Sequence, residues 1–147
     1  MNDLRELYQQ LILDHNQSPK NFGRLDDPTH VGHGHNPLCG DKLDLYLQIE
    51  DDLVKDIRFN GTGCAISKSS ASIMTTVIKG KSRAEAMGIF DEFHTMATTG
   101  EISERMQGKL AALADVYKYP ARVKCAMLSW RTLASSLQED GEIVSTE

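Results

Sequence analysis

The sequence predicts an α+β fold, in which a small antiparallel β-sheet of about three strands packs against several α-helices. Two observations support this prediction. Between Lys42 and Glu50, apolar and polar residues alternate, which is the period of a half-buried strand. Elsewhere, apolar residues recur every three or four positions, which is the period of an amphipathic helix. Residues 1–147, of which 40% are hydrophobic, are expected to form a single domain around one core.

The first element is a predicted helix, for which Asp3 is a candidate N-cap. It is expected to end near His15, because the Ser18-Pro19 pair disfavours continuation, and His15 there would complement the helix dipole. A loop is predicted over 21–37, with a short strand around Val31. The apolar stripe of the helix consists of Leu4, Leu7, Tyr8, Leu11 and Ile12.

The sheet is predicted chiefly from a hairpin. The strand Lys42–Glu50 is followed by a turn at Asp51-Asp52 and by a second strand over Leu53–Phe59. The glycine-rich sequence 60–63 is expected to break the second strand, and Cys64 follows it directly.

Four helices are predicted after the hairpin, with a stop at Gly80, a capping box that begins at Ser82, a stop at Gly100 and a start at Pro120. The last helix has a buried stripe that includes Met127 and Trp130. The acidic end, 139–147, is expected to fray. The predicted bounds are 65–79, 82–99, 102–117 and 120–137.

Composition and charge weigh against several classes of protein. The formal net charge of −5 argues against a nucleic-acid binder, which would carry a basic surplus. No stretch approaches the ~20 apolar residues that cross a bilayer. The N-terminal sequence lacks the basic start, apolar run and cleavage site of a signal peptide. A cytoplasmic protein that binds neither nucleic acid nor membrane is therefore expected.

The three cysteines, Cys39, Cys64 and Cys125, are the strongest candidates for chemistry. Their odd number and wide spacing argue against a disulfide framework, and no CxxC motif occurs. All three lie at or near the ends of predicted elements. Asp41, two positions after Cys39, adds a carboxylate, so three sulfurs and one oxygen could form a tetrahedral metal site. Three unrelated, packed cysteines are the alternative.

The neighbouring histidines and cations offer competing interpretations. His33 and His35 alternate in sequence, so both could face one side of an extended segment and bind a metal, or they could be hydrogen-bonded loop residues. Arg122 and Lys124 flank Cys125 and could be solvated cations, or they could contact an acidic partner.

Three segments, NPLCGD, FNGTGCAIS and RVKCAMLSW, occur in an order and spacing that resemble the IscU/NifU-N family of iron–sulfur cluster assembly proteins, and most closely its SufU branch. The resemblance extends over nearly the whole chain, from LYQQLILDH and SPKNFG to the last helix. It implies a SufE/NifU-like α+β fold. It also implies that Cys39, Asp41, Cys64 and Cys125 match the ligands that hold a metal or a cluster in the family.

The chain departs from IscU-type scaffolds immediately before the third cysteine. Those scaffolds have a histidine where Lys124 stands here, and an LPPVK tract that recruits a dedicated heat-shock chaperone where this chain has YPARVK. The segment 100–119 is also typical of the SufU branch. In that branch the implied metal is zinc, and the implied activity is that of a zinc-dependent sulfurtransferase-type sulfur carrier.

The resemblance therefore implies a sulfur relay. A pyridoxal-phosphate cysteine desulfurase of the SufS type would deliver persulfide sulfur to Cys39, and the sulfur would pass to a downstream iron–sulfur assembly scaffold. Cys39 is the predicted acceptor because it lies on a turn between Pro37 and Gly40, and Arg122 and Lys124 are the predicted docking residues. A ligand from the partner is expected to replace Cys39 on zinc and free its thiolate.

Two alternatives share the same ligands. The first is a scaffold on which transient iron or a [2Fe–2S] cluster is assembled on Cys39, Cys64 and Cys125. The second is a non-catalytic, zinc-stabilised adaptor that accepts no sulfur.

Overall fold

The predicted α+β fold is confirmed by a computed structural model, which describes residues 3–138 and 144–145. Within these residues a four-stranded sheet packs on four α-helices and two 3₁₀ segments. No described helix is both long enough and apolar enough to cross a membrane. The helices are α1 (Asp3–Gln17), α2 (Ala65–Ile78), α3 (Arg83–Thr99) and α4 (Pro120–Gln138). The strands are β1 (His30–Asn36), β2 (Asp41–Glu50), β3 (Leu53–Thr62) and β4 (Val144–Ser145), and the 3₁₀ segments are Glu104–Met106 and Gly108–Lys118.

The sheet has the strand order β3-β2-β1-β4. The hairpin of β2 and β3 is antiparallel, as predicted, and β1 pairs antiparallel with the other edge of β2. The two-residue β4 pairs in parallel with β1. The tail 139–147, which was predicted to fray, lies outside the described residues apart from β4. The side chain of Asp3, the predicted N-cap of α1, is also outside the description.

Strand β1 is longer than predicted, because the region 21–37 was expected to be mostly loop. Its inward-facing positions include Gly32 and Gly34 rather than large apolar residues. A Cβ atom at either glycine would collide with side chains of α4, those of Thr132 and Ser136 at Gly32 and those of Thr132 and Leu128 at Gly34. The close approach of α4 therefore requires glycine at these two positions. Because the buried positions are glycines, β1 lacks the alternation of apolar and polar residues by which a strand is recognised in a sequence.

Two further boundaries differ from the prediction. Strand β3 continues through 60–62, where Lys42 pairs with Thr62, because Gly61 adopts a φ of +149° opposite β2. The helix predicted over 102–117 is a pair of 3₁₀ segments separated at Gln107, and the second begins at Gly108, whose φ is +83°. In the longer segment Leu110, Leu113 and Val116 are buried at a spacing of three, which suits three residues per turn.

Helix α4 is the centre of the core. The indole of Trp130 is fully buried and stacks on Phe93 of α3, with ring centroids 4.3 Å apart. The serine-rich face of α2 lets α4 approach closely, since Ser70 Oγ donates to the Ala126 carbonyl and accepts from Trp130 Nε1. These contacts fix the first turns of α2 and α4 beside each other.

His15 does not act as a cationic end to α1. It is buried, and its Nδ1 lies 2.6 Å from the hydroxyl of Ser72, which also accepts from the backbone N–H of Lys20. Burial, followed by the charges of Lys109 and Lys20, lowers the pKa of His15 below its ordinary value. The neutral imidazole is therefore the form that is hydrogen-bonded to the Ser72 hydroxyl, and this bond joins α1 to α2.

The depressed pKa predicts a pH-dependent stability. Below the ordinary histidine pKa of about 6.5, the unfolded chain takes up a proton that the folded chain resists, so stability is lost as the pH falls from about 7. Replacing His15 by Gln removes this contribution. Chemical denaturation at pH 7.5, 6.5 and 5.5 should show a smaller loss of unfolding free energy in His15→Gln than in the wild type. Equal losses in the two proteins would contradict the assignment.

Candidate metal centre

The three cysteines reach one place from three elements. Cys39 lies on the four-residue turn between β1 and β2, where Gly40 adopts a φ of +73°. Cys64 is the N-cap residue of α2, and Cys125 lies in the second turn of α4. Because α2 and α4 are held side by side by the Ser70 contacts, the two helix-borne cysteines are brought to the same end of the hairpin.

The tightest part of the centre consists of Cys39, Asp41 and Cys125. The Sγ atoms of Cys39 and Cys125 are 3.3 Å apart. One ligand atom from each of the three residues lies within 4.8 Å of those from the other two. Among the described residues, this is the one group of three or more His, Cys, Asp or Glu side chains whose ligand atoms lie this close together.

Asp41 is a buried carboxylate at the start of β2, with no exposed surface. Its Oδ1 accepts a hydrogen bond of 2.9 Å from the Cys64 backbone N–H. Gly63 permits this contact, because a Cβ atom there would lie 2.7 Å from the same oxygen. None of the cationic side chains in the described residues forms an ion pair with Asp41. A buried carboxylate without a cationic partner is costly, so the donor set fits a metal ion.

Asn36 is the residue that the sequence analysis missed. Its side chain is fully buried, and its Nδ2 donates to Asp41 Oδ2 at 3.2 Å and to Cys125 Sγ at 3.5 Å. Its Oδ1 has no hydrogen-bond partner among the described residues. Strand pairing could have identified Asn36, because it lies directly opposite Asp41 in the register of β1 and β2. The prediction of a loop over most of 21–37 concealed this pairing.

Cys64 stands slightly apart from the tight group. Its Sγ is turned towards the first turn of α2, where it accepts from the backbone N–H of Ser67 at 3.4 Å. It nevertheless remains close enough to Cys125 to influence its ionisation. The structure thus brings Cys39, Asp41 and Cys125 together and leaves Cys64 at their edge.

The three cysteine residues differ in exposure. Cys39 is exposed, Cys64 is half-buried and Cys125 is only 4% exposed. Burial, together with hydrogen bonding to the Cys39 and Cys64 thiols and to Asp41, raises the pKa of Cys125 far above its ordinary value. Without a cation, this thiol is therefore protonated at neutral pH. Cys39 is the most exposed of the three residues.

The competing residues lie elsewhere or face outwards. His33 and His35 are on strand β1 rather than on a loop, and neither belongs to the Cys39 group. Arg122 is exposed, with its guanidinium 4.5 Å from the ring centre of Tyr119. Lys124 is half-buried, and its side chain forms no ion pair or hydrogen bond in the described part of the chain. Arg122 and Tyr119 line one end of a groove of 490 Å³ between α1, the longer 3₁₀ segment and α4.

Comparison with known proteins finds a family model and relatives that match most of the chain. Residues 7–126 match the model of the NifU-like N-terminal domain. The chain is 40% identical to an iron–sulfur cluster assembly scaffold protein IscU of Thermotoga maritima, over 90% of this chain and 94% of that protein. It is also 40% identical to a zinc-dependent sulfurtransferase SufU of Bacillus subtilis, over 94% of each.

Solved structures show the same architecture. A structure of a hypothetical protein has a TM-score of 0.85 at 35% identity and covers 91% of this chain and 98% of its own. A candidate iron–sulfur cluster assembly scaffold protein for the SUF system, from Fervidobacterium islandicum, has a TM-score of 0.83 at 34% identity. It covers 90% of this chain and 98% of its own.

The hydrogen bonds of Asn36 predict that it supports metal binding. Replacing it by Leu removes the donor to Asp41 and Cys125 while keeping a branched side chain, so both groups lose a hydrogen bond that orients them. The affinity for Zn²⁺ should fall by about 10- to 100-fold, as measured by competition with a chromophoric chelator. Asn60→Leu, which removes an amide from β3 away from the thiols, serves as the control. An unchanged affinity in Asn36→Leu would show that the amide does not support the centre.

Proposed function

The chain belongs to the NifU-like N-terminal domain family, and from this we propose that it acts in iron–sulfur cluster assembly as a zinc-dependent sulfur relay. In this proposal Cys39 accepts sulfur from the persulfide of a cysteine desulfurase of the SufS type, and the sulfur passes to a downstream assembly scaffold. The observation that carries the proposal is the arrangement of one exposed cysteine residue, Cys39, whose Sγ lies 3.3 Å from that of the buried Cys125, beside the buried carboxylate of Asp41.

The zinc ion would be held by Cys39, Asp41, Cys64 and Cys125. Three sulfurs and one carboxylate oxygen are a donor set that zinc accepts in tetrahedral sites. When bound, zinc would keep the cysteines deprotonated and protect them from oxidation. Its positive charge would also stabilise the Asp41 carboxylate, which is buried without an ion pair among the described residues.

Sulfur transfer needs one sulfur that is free to move. The turn that carries Cys39 is exposed, and its neighbour Leu38 is 63% exposed. Cys64 is tied to the start of α2 and Cys125 to the interior of α4. Cys39 is therefore the acceptor that can leave the centre without unfolding a helix.

The transfer itself is a thiol exchange. The Cys39 thiolate attacks the outer sulfur of the desulfurase persulfide, and a bond forms between Cys39 Sγ and that sulfur. The sulfur–sulfur bond of the donor breaks, and the donor cysteine leaves as a thiolate. The persulfide moves to Cys39 without net oxidation or reduction, so no further reagent is needed. This chemistry suits a compartment that keeps thiols reduced, such as the cytoplasm.

The residues before Cys125 favour the relay over the scaffold. Equal identity to a scaffold and to a sulfurtransferase leaves the choice to particular positions. Lys124 stands where IscU-type scaffolds have a histidine, so the chain lacks a nitrogen ligand next to Cys125. Assembly of a [2Fe–2S] cluster on Cys39, Cys64 and Cys125 is the second candidate, and the match to scaffold proteins supports it. In that case iron is a substrate of the centre.

Arg122 and Lys124 are proposed to dock the desulfurase. Arg122 is exposed, lines the groove and lies three positions before Cys125 on α4, and its guanidinium is 4.5 Å from the Tyr119 ring centre. An acidic patch on the partner beside its persulfide would meet these cations and place the donor sulfur near Cys39. Replacing Arg122 is therefore expected to weaken binding of the desulfurase and to leave the reaction of the Cys39 thiolate unchanged.

Replacing Cys39 by Ala tests the acceptor. Stimulation of the desulfurase in a sulfide-release assay should be abolished, because the persulfide has no thiolate to attack, while binding of the desulfurase is largely retained. Arg122→Ala is the matched variant, in which binding weakens and the acceptor remains. Full stimulation by Cys39→Ala would exclude Cys39 as the acceptor.

Metal analysis separates the relay from the scaffold. After anaerobic purification the relay predicts about one zinc per chain and no absorbance in the visible range. Asp41→Ala should retain less zinc, because it loses one ligand and the carboxylate that accepts from Cys64. Stoichiometric iron with visible absorbance would favour the scaffold, and an unchanged zinc content in Asp41→Ala would contradict ligation by Asp41.

A further inference from the structure

Strand β1 has two chemically different faces. Gly32, Gly34 and Asn36 point towards α4 and the thiols, whereas His33 and His35 lie at the alternate positions and therefore point to the opposite side of the sheet. Both histidines line a shallow depression together with Lys42 and Asp44 of β2. The sulfur relay uses none of these outward-facing residues.

His33 is already oriented by a carboxylate. Its Nδ1 lies 2.6 Å from Asp44 Oδ1, its direct cross-strand partner, and the two side chains are 55% and 44% exposed. With the Nδ1 proton donated to Asp44, Nε2 retains a lone pair that points away from the carboxylate. Histidines that bind metals in proteins are commonly oriented in this way, with the second ring nitrogen bonded to a carboxylate.

His35 provides a second imidazole at a suitable distance. It follows His33 by two positions, so their Cα atoms are about 6.6 Å apart along the strand. Its ring makes no hydrogen bond within the described part of the chain. Gly34 between them faces α4 and has no side chain to intervene. Two half-exposed imidazoles can therefore rotate towards one ion above the strand.

From this geometry we propose a second metal site, in which His33 and His35 bind a divalent transition-metal ion and Asp44 positions His33. Imidazole nitrogens select zinc, nickel or copper over magnesium or calcium, which prefer oxygen ligands. The cationic side chain of Lys42 also lines the depression. Its positive charge repels any cation, so an ion that is held only by electrostatic attraction, such as magnesium or calcium, is disfavoured relative to one that bonds to imidazole nitrogen. The site is separated from the Cys39 centre by the thickness of the sheet and goes beyond the proposed function.

Nickel titration of the zinc-saturated chain tests the site. Isothermal titration calorimetry should show one Ni²⁺ site that is abolished in His33→Gln and in His35→Gln. Asp44→Asn should weaken it by about 10- to 100-fold, because His33 then loses its orienting carboxylate. His94→Gln on α3 is the control and should bind Ni²⁺ as the wild type does. A zinc-sensitive dye in the same solution should report no release of zinc.

Ring NMR spectra of the wild-type chain locate the ion independently of any variant. Paramagnetic Ni²⁺ should broaden the imidazole signals of His33 and His35 before those of His15 and His94. This readout does not depend on sulfur transfer or on which metal the cysteines hold, so the second site and the sulfur relay can fail separately. Release of one zinc per nickel bound, broadening centred on other histidines, or an unchanged Ni²⁺ affinity in both His variants would overturn the proposal.

Discussion

The centre depends on the burial of one carboxylate, that of Asp41. It receives hydrogen bonds from the Cys64 backbone and from Asn36, which also contacts Cys125. One side chain on β2 thus connects β1, the start of α2 and the first turns of α4. Because a buried carboxylate is costly when its charge is unbalanced, a metal ion bound here would couple to the local fold. The same contacts set the positions of the two helix-borne cysteines.

The difference between the sulfurs follows from the elements that carry them. Helix α4 is held by Trp130 and by the serines of α2, so Cys125 is buried with the core. Cys39 lies on a short turn whose backbone is set by Gly40, outside any helix, and its Sγ contacts that of Cys125. One centre thus combines a cysteine held in a helix with a cysteine on an exposed turn. The proposed sulfur transfer assigns the acceptor role to the cysteine on the turn.

Much of the fold could be predicted because local patterns and tertiary packing agree. The alternation in β2 and the apolar stripe of α4 each report a buried face directly, and the capping box at Ser82 marks the start of α3. Strand β1 could not be predicted in full, because its inward residues were selected by contact with Thr132 and Ser136 and not by hydrophobicity. The 3₁₀ geometry of 108–118 likewise depends on packing. The proximity of the cysteines could be inferred from the family resemblance, whereas the role of Asn36 required the register of β1 against β2.

The central claim is that Cys39 is the sulfur acceptor, and mass spectrometry of the modified chain tests it most directly. The intact chain is incubated with a cysteine desulfurase and cysteine, alkylated and digested, and the peptides that carry added sulfur are identified. The account predicts a mass increase of one sulfur atom on the peptide that contains Cys39, and none on those that contain Cys64 or Cys125. Added sulfur confined to Cys64 or Cys125, or no added sulfur on any cysteine while the desulfurase is bound and active, would contradict it.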